Sequence, residues 1–147
     1  LPLMEQGIFF VFMGVFDKYE AVVEKYPTLK EQSVFAGFIK DVLAVNELCD
    51  IYINPKRNGG GTSVIEAMVK GLPPVALNEG DVSLGAGEDF CLQDYSEMVQ
   101  RALILKDDEE YYRAMSQKAR ERAAVMLDGA SAFWETFQRI EKLSDFQ

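Results

Sequence analysis

The feature that most constrains this chain is a repeated alternation of short apolar runs with amphipathic stretches. The first run, residues 8–13, is apolar throughout and ends at Gly14, a pattern typical of a strand that is covered on both faces in a parallel sheet. The next stretch has apolar side chains at helical spacing, with Asp17 as its expected N-cap and Pro27 as its expected end. We therefore predict a strand followed by a short amphipathic helix.

The same alternation continues through the first two thirds of the chain. Further strands are predicted at residues 33–39, 50–54, 74–77 and 89–92, and further helices at residues 41–48 and 63–70. Residues 78–88 are rich in glycine and acidic side chains and are predicted as a loop, and the last third is mostly helical. Strands that alternate with helices in this way predict an α/β fold with a doubly wound parallel sheet.

Length and composition limit the chemistry that is open to this chain. With 147 residues and a net charge of −9, it suits one domain with its own core and is too acidic for a general nucleic-acid or anionic membrane surface. Histidine is absent, which excludes Ser-His and Cys-His catalysis and histidine metal sites. Cys49 and Cys91 form no C-x-x-C motif, so we expect reduced thiols in a cytoplasmic protein. The longest apolar stretch, residues 7–16, is too short to span a membrane.

Two features of the last third have simple structural interpretations. The acidic run 107–110 is a candidate metal site, but acids that open a helix complement its positive end, so we predict no metal there. The final helix carries an apolar stripe that is wide for a terminal helix and exceeds what this domain alone can cover, so we expect it to fold back or to pair with a second copy of the chain. The stripe comprises Phe133, Trp134, Phe137 and Ile140.

The most informative segment, residues 54–68, has the order strand, glycine-rich loop, helix. Ligands of open α/β sheets collect beyond the carboxyl ends of the strands, where the start of a helix points unpaired N–H groups at an anion. Successive glycines let the backbone approach a ligand closely, and two basic side chains add positive charge, although these can equally be a solvated loop pair. The candidate binding residues of this segment are Lys56, Arg57, Asn58, Gly59, Gly60, Gly61, Thr62, Ser63 and Glu66.

Spacing alone leaves two interpretations of this segment open. Ser63 and Glu66 have the spacing of a capping box, in which Glu66 only reaches back to a backbone N–H, or Glu66 faces a ligand. The loop matches neither the Walker A pattern nor G-x-G-x-x-G, since Val64 stands where the third glycine belongs. Ordinary nucleotide-binding fingerprints are therefore absent.

Several segments together resemble the carboxyl-terminal, donor-binding half of the nucleotide-sugar-dependent glycosyltransferases of the GT-B fold, in particular group 1 and its family-four-like members. The resemblance spans nearly the whole chain and implies a Rossmann-like domain with three layers. It rests on residues 35–42, 49–55, 59–68 and 70–75.

The resemblance also implies roles for the residues that match the family pattern. Glu66 would hold the ribose hydroxyls, and the backbone N–H groups of residues 61–63 would hold the diphosphate. The turn after the second strand would face the nucleobase through its main chain at Ile39 and the Phe38 side chain, for which packing in the core is the alternative. Retaining members carry an acidic residue that contacts the sugar where this chain has Asn58.

We accordingly interpret residues 1–147 as a single donor-nucleotide-binding domain, a fragment without the amino-terminal acceptor domain and therefore inactive alone. The resemblance implies a hexosyltransferase that uses a nucleoside diphosphate sugar, with a UDP-sugar favoured, and that needs no metal or other cofactor. The acceptor would be a polysaccharide, a glycoconjugate or a lipid-linked glycan at the inner face of the membrane.

Three other functions stay open at this stage. The chain could be a non-catalytic interaction module of the same fold, with the glycine loop and last helix serving a partner protein. It could also be half of a GT-B sugar-nucleotide epimerase, which the absence of histidine disfavours. A response-regulator receiver needs an acidic cluster at the end of the first strand, where this chain has Met13 and Gly14.

Overall fold

In a computed structural model of the chain, the structure describes residues 2–56, 59–129, 131–132, 135–136 and 138. The helices are α1 (Pro2–Glu5), α2 (Tyr19–Lys25), α3 (Pro27–Glu31), α4 (Val42–Asn46), α5 (Gly61–Val69), α6 (Gly80–Ala86), α7 (Tyr95–Asp107) and α8 (Glu109–Leu127). The strands are β1 (Phe10–Met13), β2 (Ser33–Gly37), β3 (Tyr52–Asn54), β4 (Pro74–Leu77) and β5 (Cys91–Leu92), and one turn of 3-10 helix, Glu88–Phe90, precedes β5.

Every strand pair in the described part of the chain is parallel, which confirms the predicted α/β class. The five strands fall into a two-stranded sheet, β1-β2, and a three-stranded sheet in the order β3-β4-β5. Parallel neighbours need crossover connections, which is why a helical segment separates consecutive strands. The mostly helical last third is also confirmed, since α7 and α8 follow β5.

The main hydrophobic core lies around β4, whose residues are all buried. Helix α5 covers this strand with Val64 and Met68, which are fully buried, and α8 packs on α5 through small side chains. A second, smaller cluster joins α1, α2 and α3 beneath the β1-β2 sheet. It is built from Met4, Tyr19, Val23 and Leu29.

Strand β1 differs from the central strand that its sequence predicts. All of its residues are only partly buried, and within the described residues it pairs with β2 alone. Phe10 donates its N–H to the Gln32 carbonyl at 2.9 Å, so the backbone groups of Phe10 face β2. Because successive residues of a strand point their N–H and C=O groups to opposite sides, those of Val11 point away from β2. Within the described residues, no strand pairs with this edge of β1.

Of the two helix ends predicted around α2, the start differs from the prediction and the end agrees with it. Lys18, and not Asp17, occupies the N-cap position of α2, and its side chain accepts no hydrogen bond from the first turn. The N-cap prediction for Asp17 is therefore wrong. The predicted end at Pro27 is confirmed, because α2 ends at Lys25 with Tyr26 as its C-cap; Pro27 then begins α3, since a proline at the first helical position loses no intrahelical hydrogen bond.

The predicted loop 78–88 instead contains helix α6. Its signals are an acid in the first turn, Asp81, and a glycine after the last turn, Gly87, with φ of 83°. Val82 and Ala86 lie one turn apart and are buried, and α6 packs extensively on α5. Tertiary burial thus stabilises a helix in a segment whose composition resembles a loop.

Side-chain caps begin the two helices that follow β5. Asp94 accepts the Glu97 N–H at 2.9 Å and Asp108 accepts the Tyr111 N–H at 2.9 Å, so an aspartate caps both α7 and α8. The acidic run 107–110 surrounds the start of α8, as its helix-opening interpretation requires. The apolar stripe predicted for the final helix, Phe133, Trp134, Phe137 and Ile140, lies outside the described residues.

Candidate functional site

The loop between β3 and α5 ends in two glycines with left-handed backbone. Gly59 has φ of 80° and Gly60 has φ of 108°, and Gly60 is the N-cap of α5. Residues with side chains adopt this conformation at a cost, whereas glycine does not. The two glycines therefore let the chain turn sharply into the helix.

The first turn of α5 presents unpaired backbone donors. The first intrahelical bond runs from the Val64 N–H to the Gly60 carbonyl at 3.0 Å. Within the described part of the chain, the N–H groups of Gly61, Thr62 and Ser63 donate no hydrogen bond. Together with the positive end of the helix dipole, these groups form an arrangement that binds anions.

The capping-box alternative for Glu66 is contradicted by the position of the helix start. Helix α5 begins at Gly61, so Ser63 lies inside the first turn and is not the N-cap. Glu66 is half-buried and has no hydrogen bond or ion pair with any residue that the structure describes. Thr62 lies four residues before Glu66 and so shares its helix face, while Val64 belongs to the buried face.

Lys56 is engaged by two other segments. Its Nζ lies 3.1 Å from an Oε2 of Glu79, which is the N-cap residue of α6, and its backbone N–H donates to the Tyr95 hydroxyl at 3.4 Å. Both charged side chains are solvent-exposed, so the ion pair is weak and its partners can exchange. Arg57 and Asn58 lie outside the described residues.

A concave region lies at the carboxyl ends of β1 and β2. The Gly14 N–H donates to the Gly37 carbonyl at 2.8 Å and joins the two turns. Beside them is an open cleft of about 360 Å³, walled by aromatic rings such as Tyr19 and Phe35, whose centroids are 5.1 Å apart. The cleft is lined by Gly14, Val15, Phe16, Asp17, Tyr19, Glu20, Phe35, Gly37 and Phe38.

The two predicted base-binding residues, Phe38 and Ile39, differ in their positions relative to the cleft. Phe38 lines the cleft with 79% of its surface exposed, which contradicts the alternative that it packs in the core. Ile39 is half-buried and does not line this cleft. Among the described residues of the glycine loop, none lines this cleft.

Several residues at these sites had been missed in the sequence. Glu79 and Tyr95 contact Lys56, and Val15 and Phe16 line the cleft. The apolar pair after Gly14 is a usable signal, because it follows the carboxyl end of β1 and ligands of open α/β sheets bind beyond the carboxyl ends of the strands. Contacts between side chains on different loops had no signal in the sequence.

Other reactive groups lie apart from these sites. The described residues hold no group of three or more His, Cys, Asp or Glu side chains that could bind a metal ion, and among them no helix combines the length and apolar character needed to cross a membrane. Both cysteines are free thiols. Burial raises the pKa of Cys49, and Asp50 raises it further; burial also raises the pKa of Cys91 more than Arg122 lowers it.

Parallel strands, crossover helices and a glycine turn before an uncapped helix are the features of a Rossmann-like α/β domain. The family model for group 1 glycosyl transferases matches residues 2–116, and the chain belongs to that family. A search of curated protein sequences finds no match.

Two solved structures of Anabaena HepE share this fold. One contains UDP and is 17% identical to the chain, and the other contains UDP and glucose and is 18% identical. In both comparisons the TM-score is 0.70, and the alignment covers 96% of this chain and 43% of HepE. The chain thus spans less than half of the length of these structures, and at this identity the likeness establishes the fold.

Proposed function

We propose that residues 1–147 form a single donor-binding domain of a glycosyltransferase that uses a nucleoside diphosphate sugar. The observation that carries the proposal is the start of α5, where Gly61, Thr62 and Ser63 offer unpaired N–H groups behind a glycine turn. This arrangement suits the diphosphate, which brings more than one negative charge to one place.

The remaining parts of the donor fit the rest of the site. Glu66 follows the phosphate-binding turn on an accessible face of α5 and has no described partner, so its carboxylate is free to accept the ribose hydroxyls. The aromatic cleft beside Phe38 suits a nucleobase, with Ile39 contributing main-chain groups. Uracil is the favoured base, and the UDP in both HepE structures supports this choice.

The chemistry follows from the charge that develops on the leaving group. As the bond between the sugar and the diphosphate breaks, negative charge grows on the phosphate oxygen, and the N–H groups at the helix start stabilise it without a metal ion or other cofactor. Lys56 adds positive charge when it leaves Glu79. Arg57 is proposed to act similarly, and Asn58 to hydrogen-bond the sugar hydroxyls as a neutral amide.

The transferred group in this proposal is a hexose, and the acceptor is a polysaccharide, a glycoconjugate or a lipid-linked glycan at the cytoplasmic face of a membrane. An acceptor-binding domain outside residues 1–147 supplies the second half of the active site. The chain alone is therefore expected to bind donor without transferring sugar.

Calorimetric titration of the folded chain with UDP, GDP, ADP and CMP tests the proposal. We expect UDP to bind, and UDP-hexoses to bind at least as well. If no nucleotide binds to a chain whose folding has been verified, the donor-binding proposal is wrong and a non-catalytic interaction module becomes the better interpretation.

A further inference from the structure

Helix α6 touches the first turn of α5 through two glycines. A Cβ added at Gly85 would lie 2.8 Å from Cγ1 of Val64 and 3.1 Å from the carbonyl oxygen of Gly61, and a Cβ at Gly61 would lie 3.2 Å from the Asp81 carbonyl oxygen. Val64 is β-branched and fully buried, so it cannot turn aside. The spacing of the two helices therefore depends on the missing side chain at Gly85.

The far side of Gly85 is held by α8. The Arg122 guanidinium donates from Nε to the Gly85 carbonyl at 3.2 Å and from Nη2 to the Leu84 carbonyl at 2.7 Å. These carbonyls belong to the last turn of α6 and have no partner further along that helix, so Arg122 caps its C-terminus. Ala119 and Ala123 anchor α8 itself in the core.

Gly85 thus lies between a fixed guanidinium and the first residue of the anion-binding turn. The Gly61 carbonyl that Gly85 contacts belongs to the same residue whose N–H is unpaired at the helix start. A group at Gly85 that pushed on this carbonyl would tilt the first turn and re-aim its donors. Hydrogen bonds to a charged group lose strength steeply when the donor is misaligned.

We propose that Gly85, held by Arg122, is a positioning residue for the phosphate-binding N–H groups of residues 61–63; the inference rests on the proposed donor-binding function. Gly85 does not touch the donor. It sets where α5 begins relative to the rest of the site, and so acts on the diphosphate and not on the nucleoside.

The test compares UDP with uridine on the Gly85→Ala variant, using calorimetry for UDP and NMR titration for uridine. We expect UDP affinity to fall about tenfold or more, the cost of weakening a charge-assisted hydrogen bond, while uridine affinity is unchanged. A merely structural role would lower both affinities together or neither. Either of those results overturns the positioning role.

Gly71→Ala is the matched control. Gly71 has φ of 82°, a backbone conformation that strains any residue with a side chain, and an added Cβ would also meet the Arg120 guanidinium, so the variant is destabilised at the opposite end of α5. We expect a lower melting temperature with UDP affinity unchanged. Equal loss of UDP affinity in this control and in Gly85→Ala would mean that general destabilisation explains the effect, and would refute the proposal.

A second variant covers the case in which Gly85→Ala does not fold. Val64→Ala removes the Cγ1 atom that the new Cβ would meet, while the contact with the Gly61 carbonyl remains. The double variant should fold and bind UDP more weakly than Val64→Ala alone, and equal affinity would overturn the positioning role. If the wild-type chain binds no nucleoside diphosphate, the proposed function fails, and the positioning role fails with it.

Discussion

Replacing Glu66 by Gln is the sharpest test of the proposed ribose contact. The side chain is half-buried on α5 and makes no hydrogen bond or ion pair with the described residues, and it is not part of a capping box, because the helix begins at Gly61. A substitution without lost contacts or changed volume is expected to alter the free energy of unfolding by less than about 0.5 kcal/mol.

The expected effect on binding is much larger. In the proposed complex one carboxylate accepts two ribose hydroxyls, and these charge-assisted bonds become neutral, and partly mispaired, when an amide replaces the carboxylate. We expect UDP affinity to fall by roughly 1–3 kcal/mol, or about tenfold to a hundredfold, with the melting temperature unchanged.

Calorimetry with UDP and with 2′,3′-dideoxy-UDP separates this contact from indirect effects. The dideoxy analogue lacks both hydroxyls, so it should bind wild-type chain and Glu66→Gln equally. Ser63→Ala is the control within the same turn, because it keeps the backbone N–H and, since Ser63 is not the N-cap, should leave stability and UDP affinity unchanged. Unchanged UDP affinity in Glu66→Gln would refute the ribose role.

Three further outcomes are expected. Glu79→Gln should free Lys56 and tighten UDP binding a few-fold at low salt, in line with about 0.2–1 kcal/mol for an exposed ion pair. In a double-mutant cycle measured by calorimetry, the gain should be absent when Lys56→Gln is also present. Phe38→Ala should weaken UDP binding without lowering the melting temperature, because the ring is exposed; a stability loss in thermal unfolding would contradict this. Burial raises the pKa of Cys49 and Cys91, so at pH 8 fewer thiolates form, and both should react with a disulfide reagent more slowly than in denaturant.

The sequence was informative wherever local chemistry decides the structure. The apolar residues 74–77 need two covered faces, and they form β4 with the predicted bounds. Asp94 and Asp108 cap their helices because a short carboxylate reaches the N–H groups of the first turn. Helix α6 was not predictable in this way, because Val82 and Ala86 form a helix only when α5 is present to bury them.

The candidate site was also only partly predictable from the sequence. The glycine loop could be recognised from the sequence, since successive glycines before a helix have few other uses. The helix start at Gly61 was placed two residues too late, because the left-handed turn at Gly60 replaces a side-chain cap. Glu79 could not be paired with Lys56 from the sequence, because the pair joins two separate loops.

The edge of β1 that faces away from β2 has a consequence for handling the protein. A strand edge with free N–H and C=O groups is a template on which another extended chain can add, and soluble proteins usually protect such edges with charges, proline or a covering segment. Among the described residues, no strand pairs with the backbone groups of Val11, and the side chains of β1 itself, residues 10–13, are all apolar. We therefore expect the isolated chain to aggregate at high concentration through edge-to-edge β pairing, and a lysine at Val11 to slow this aggregation in light-scattering measurements.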